Sequence, residues 1–91
     1  MIYLDNLSMV TGRQIAAART LIGIGQAELA SRSAISVPTL KRMEASEGPA
    51  AGLANNVAAV RRALEQAGVE FLAENGGGPG VRLRKKARSS K

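Results

Sequence analysis

Apolar residues recur at helical spacing through most of the chain and at every second position near its end. Thr11 has the character of a helix N-cap, and Gln14 three residues on completes a capping-box pattern. Ile15, Ala18, Leu21 and Ile22 then fall on one helical face, and Gly23 and Gly25 end the helix. Gln26 to Ser33 predicts a second helix, with Leu29 and Ala30 inward and Glu28 near its positive N-terminal end. Ala34 and Ile35 form a short turn. Ser36 is the N-cap of a third helix from Val37 to about Ala45, with Pro38 in its first turn, where a missing N–H costs nothing. Leu40 and Met43 of that helix are spaced to bury together.

Ser46 to Gly52 (SEGPAAG) is a linker by composition. A fourth helix follows, capped by Asn55 and running to about Ala67, with Val57, Val60 and Leu64 as its apolar stripe and Gly68 as its stop. Ala63 and Ala67 allow a neighbour to approach closely. Beyond Gly68 the period falls to two. Val69, Phe71 and Ala73 alternate with Glu70 and Glu74, and Val81 and Leu83 alternate with Arg82 and Arg84, around the turn-rich ENGGGPG. These elements predict a mostly α fold: a small helix-turn-helix bundle of about four helices followed by a C-terminal β-hairpin. The segments are an N-terminal extension (1–10), the helical domain (11–67), the hairpin (68–85) and a basic tail (86–91).

Composition narrows the chemistry. The 91 residues include neither Cys nor His, which excludes a disulfide framework, the usual zinc sites and the commonest general base. No nucleophile, base and metal set converges, so the chain reads as a non-enzyme without a cofactor. No apolar run approaches the roughly 20 residues of a membrane span, and the first ten residues lack a basic leader, so no membrane role and a cytoplasmic location are expected. The net charge is +6, but seven basic and seven acidic residues balance up to position 80. The excess lies in Arg82, Arg84, Lys85, Lys86, Arg88 and Lys91. Such a run attracts nucleic acid without sequence preference, or is simply solvated. Gly76 to Gly80 lacks the Lys-Ser/Thr ending of a phosphate-binding loop and reads as a hairpin turn. Arg61 and Arg62 read as solvent-facing.

The string IGQAELASRSAISVPTLKRMEAS (24–46) resembles the helix-turn-helix of the phage-repressor or Cro-like family, also called the xenobiotic-response-element family. Gln26, Glu28, Leu29, Ala30, Ile35, Ser36, Leu40 and Glu44 stand where that family has characteristic residues, and the likeness covers residues 13–46. The resemblance implies a third helix that enters the major groove of DNA. Gln26 would pack against phosphate and the recognition helix, and Ser36 and Thr39 would serve as cap and backbone contacts. Val37, Pro38, Lys41 and Arg42 would project toward the bases, Arg42 as a bidentate partner of guanine and Val37 against a thymine methyl. Many family members carry polar readers at the positions of Val37 and Pro38, which speaks against hydrogen-bonded readout there. Arg19 and Glu44 would form a partly buried structural salt bridge.

The resulting expectation is a sequence-specific, nucleoid-associated transcriptional regulator, a repressor in its simplest form, binding a palindromic operator in double-stranded DNA as a homodimer joined through the hairpin. A marginal core and a lone hairpin both gain from association. Alternatives are an antitoxin-type protein that binds a toxin partner and represses its own operon, and an activator or recombination factor of a mobile element. RNA or membrane binding through the tail is weaker, since only Tyr3 and Phe71 offer stacking surfaces.

Overall fold

A computed structural model of the chain describes residues 10–73 and 76–84. The helices are α1 (Gly12–Ile22), α2 (Gln26–Ser33), α3 (Val37–Glu44) and α4 (Ala54–Gln66), followed by strands β1 (Val69–Leu72) and β2 (Gly80–Leu83). The fold is therefore mostly helical with a C-terminal antiparallel hairpin. No helix among the described residues is long and apolar enough to cross a membrane.

The capping residues set the boundaries. Thr11 accepts from the Gln14 backbone N–H while the Gln14 side chain accepts from the Thr11 N–H, so both halves of the capping box form. Gly23 closes α1 in the left-handed conformation. Ser36 caps α3 by accepting from the Thr39 N–H. At α4 the cap position is Leu53 and no side chain caps it, so Asn55 is the second helical residue and not the cap. The chain leaves the linker extended as far as Leu53, and that backbone geometry places the start two residues earlier than a polar side chain suggested.

Every described element contributes to one core. Ile15 of α1, Leu29 of α2, Leu40 and Met43 of α3, Val60 and Leu64 of α4 and Val69 of β1 are fully buried. Each such side chain contributes about 1.5–3 kcal/mol on leaving water. Leu21, expected on the buried face of α1, is 44% exposed, because the core-facing stripe of α1 runs through Ile15, Ala18 and the partly buried Ile22 and leaves Leu21 at its edge. In the hairpin Val69 pairs with Leu83, Glu70 with Arg82, Phe71 with Val81 and Leu72 with Gly80. The strands thus begin and end within a residue or two of the alternating pattern. The hairpin is not a separate unit, since β1 and β2 pack on α1 and α4.

Two contacts near the start of α1 organise this packing. The Gln14 amide Nε2 donates to the carbonyls of Leu72 and Gly80, at 3.2 and 3.0 Å, and so ties α1 to the loop end of the hairpin. Beside it, Gly12 lies against the C-terminal carbonyls of α3. A Cβ there would sit 2.3 Å from the Met43 oxygen and 2.6 Å from that of Ser46. The positive end of α1 thus abuts the negative end of α3, a favourable dipole arrangement.

Candidate functional site

The segment from α2 through the turn to α3 positions most of the side chains singled out from the sequence. The turn is tight because Ala34 adopts the left-handed conformation at φ 58° and its N–H bonds the Ser31 carbonyl. Ile35 then packs on the core, and α3 begins two residues later. Leu40 and Met43 anchor α3 from its buried side.

On the opposite side Pro38, Lys41, Arg42 and Ala45 are exposed. Their spacing of three, one and three residues puts them in a single stripe along the helix. Lys41 and Arg42 meet no carboxylate among the described residues. Val37 does not join this stripe. It is half-buried and packs against the core, correcting the expectation that it projects. It lies three residues before the fully buried Leu40 and so shares the core-facing side of α3. Ser36 is exposed and Thr39 half-buried, and the Ser36 hydroxyl donates to that of Thr39 at 2.8 Å.

The far end of α3 is held by a polar cluster. Arg19 Nε donates to Glu44 Oε2 at 2.8 Å, and Arg19 Nη2 donates to Oε1 at 3.1 Å. The Glu44 side chain is only 7% exposed and that of Arg19 20%. Arg19 Nη1 also donates to the Ile24 carbonyl. The hydrogen bond to Glu44 holds the Arg19 guanidinium above its usual pKa, against the lowering effect of burial. Gln26 Nε2 donates to Glu44 Oε1 at 3.0 Å. One carboxylate thus joins α1, α2 and α3. The sequence pointed to the pair and, by resemblance, to a contact of Gln26 with α3, but did not name Glu44 as the residue that Gln26 meets.

The basic residues assigned to a tail divide. Arg82 lies in β2 and bonds Glu70 across the hairpin at 2.7 Å. Arg84 follows β2, and its guanidinium donates to the Glu65 carbonyl in the last turn of α4. Lys85, Lys86 and Arg88 lie outside the described residues. Arg61, expected to face solvent, is half-buried: it pairs with Glu65 at 2.9 Å and sits over the Phe71 ring at 5.3 Å. No protein-family description matches the chain, and no curated protein matches it. The geometry of α2, the turn and α3 therefore carries the functional argument.

Proposed function

We propose that this chain is a sequence-specific DNA-binding transcriptional regulator, acting as a repressor by occupying operator DNA. The observation that carries the reading is the exposed stripe of α3, where Lys41 and Arg42 meet no carboxylate among the described residues, on a helix anchored from its buried side. A helix that reads base edges needs an exposed face with hydrogen-bonding side chains free to reach them and a fixed angle to the domain. The Arg19–Glu44–Gln26 cluster and the burial of Leu40 and Met43 supply the second requirement. In this reading Gln26 and Thr39 contact the DNA backbone, and Arg42 addresses a base edge.

A single α3 covers only a few base pairs, so the reading includes a homodimer on inverted half-sites about 34 Å apart. The hairpin supplies the joint. Among the described residues its sheet has two strands, and Leu83 at its edge is 54% exposed. Lys85, Lys86 and Arg88 add affinity that is independent of sequence and falls with salt. The working location is the nucleoid, in the cytoplasm.

The test is a titration of the full-length chain on duplex DNA from upstream of its own gene and on scrambled duplex of equal length. Arg42→Ala should lose about 1–3 kcal/mol on the preferred duplex and little on the scrambled one. A variant with Lys85, Lys86 and Arg88 changed to Ala should weaken on both alike and show a shallower salt dependence. Equal binding of both duplexes, unaffected by Arg42→Ala, would leave the α2–α3 unit as scaffold alone.

A further inference from the structure

The chemistry of the α3 face goes further than the general reading, on which this step rests: we infer that α3 recognises only hydrogen-bond acceptors, so that its half-site is built around guanine opposite Arg42. The exposed stripe consists of Pro38, Lys41, Arg42 and Ala45. Pro and Ala offer no side-chain hydrogen bond. Lys and Arg are donors only, three N–H groups on one and five on the other, with no acceptor on either.

The hydroxyl and carboxylate acceptors in and next to α3 lie off this stripe and already have partners. Glu44, its one carboxylate, is 7% exposed and receives three bonds from Arg19 and Gln26. Ser36, which caps the helix, accepts from the Thr39 N–H and gives its own proton to the Thr39 hydroxyl. Val37, one of the side chains offered as a base contact from the sequence, is turned against the core. The stripe therefore carries neither a carboxylate nor an amide.

The four bases answer such a face unequally. In the major groove guanine presents two acceptors, N7 and O6, side by side. Adenine presents one acceptor beside a donor, cytosine a donor, and thymine an acceptor beside a methyl group. The Arg42 fork is satisfied in full only by guanine. Against the amino group of adenine or cytosine a guanidinium N–H is stripped of water and left unpaired, so rejection adds to attraction. Lys41, the next residue on the same stripe, takes a neighbouring acceptor, and Pro38 tolerates a thymine methyl.

The experiment is selection of the full-length chain on a library of random-sequence duplexes, repeated with Arg42→Gln and followed by titration of the selected duplex. Helical circular dichroism confirms that the exposed substitution leaves the fold intact. Wild type should enrich a motif with one guanine fixed in each half-site. Replacing that guanine by 7-deazaguanine, which lacks only the N7 acceptor, should weaken binding roughly tenfold. Arg42→Gln should move the fixed base from guanine to adenine, because a side-chain amide pairs with both N6 and N7 of adenine. A motif whose fixed base is adenine or cytosine, or a guanine whose N7 is dispensable, overturns the inference while leaving sequence-specific binding in place. Failure of the folded protein to enrich any motif overturns the DNA reading itself, and this inference with it.

Discussion

Glu44 receives Arg19 through two parallel hydrogen bonds, Nε to Oε2 and Nη2 to Oε1, and this fork–fork pair fastens the last turn of α3 to α1. Removing one partner of a largely buried pair is costly because the other remains desolvated. Arg19→Ala should destabilise the fold by about 3 kcal/mol, and Glu44→Gln by less, since an amide still accepts from one donor. The sign with pH follows from the raised Arg19 pKa. A cation whose folded-state pKa is raised contributes its stability fully below the unfolded value, which for Arg lies far above neutral pH, and loses it only as pH rises through the folded value. The penalty of Arg19→Ala in urea unfolding should therefore be the same at pH 7 and pH 10. A penalty that shrinks at pH 10 would contradict it.

The close approach of Gly12 to α3 gives a second test. A methyl group on Gly12 meets backbone oxygens, which cannot rotate away as a side chain can. Gly12→Ala should cost about 2–3 kcal/mol through forced separation of α1 and α3, comparable with overpacking a core. Gly48 is the control, since its Cα faces open space. Thermal unfolding of Gly48→Ala should remain within about 0.5 kcal/mol of wild type, as for an ordinary surface change.

Gln14 separates two roles that one side chain performs. Its oxygen accepts from the Thr11 N–H, and its Nε2 donates to the Leu72 and Gly80 carbonyls. Gln14→Glu keeps the first and turns a second acceptor on the two carbonyls. The hairpin should then loosen while the start of α1 holds. Amide hydrogen exchange reads this directly: protection should fall in β1 and β2 by more than in α1. Equal loss in all three would mean that the cap and the hairpin anchor cannot be separated.

What the sequence revealed and what it concealed divide by range. The helices were legible because their signals are local: Thr11 and Gln14 lie three residues apart, Ser36 precedes its helix directly, and Leu40 and Met43 share a face by spacing alone. The hairpin was legible from its period of two and its glycine-rich turn. The contacts of Gly12 and Gln14 span more than thirty residues of chain, and neither residue type announces them. Val37 reads as an outward contact on the family resemblance alone, whereas its spacing of three from Leu40 puts it on the buried side of α3. Arg82 and Arg84 belonged by composition to a basic run, yet Glu70 and the Glu65 carbonyl hold them within the fold. At the candidate site Lys41 and Arg42 were legible as the exposed pair and Gln26 as a neighbour of α3, but its bond to Glu44 was not.

Ser33 is buried to 5% exposure at the end of α2, and its hydroxyl has no hydrogen-bond partner among the described residues. A desolvated hydroxyl without a partner costs about 1–3 kcal/mol relative to an apolar group of the same shape. Ser33→Ala removes the oxygen and leaves only a small void, so the variant should be as stable as wild type or more stable by up to about 1 kcal/mol. Chemical denaturation decides it, and a loss of stability would mean that the hydroxyl has a partner in solution.

Ala34 carries the last prediction. It is the one residue other than glycine with positive φ among those described, and it closes α2 where the chain turns toward α3. A Cβ in the left-handed region costs roughly 1–2 kcal/mol, and the extra backbone entropy of an unfolded glycine returns about 0.5–1 kcal/mol of that. Ala34→Gly should therefore stabilise the fold by about 0.5–1 kcal/mol, visible as a rise in Tm. The turn keeps its path, so α3 keeps its placement, and DNA affinity should not change. A variant that gains stability but loses affinity would show that the alanine methyl itself touches the DNA or fixes the angle of α3. One that loses stability would show that the turn relaxes out of the left-handed conformation in solution.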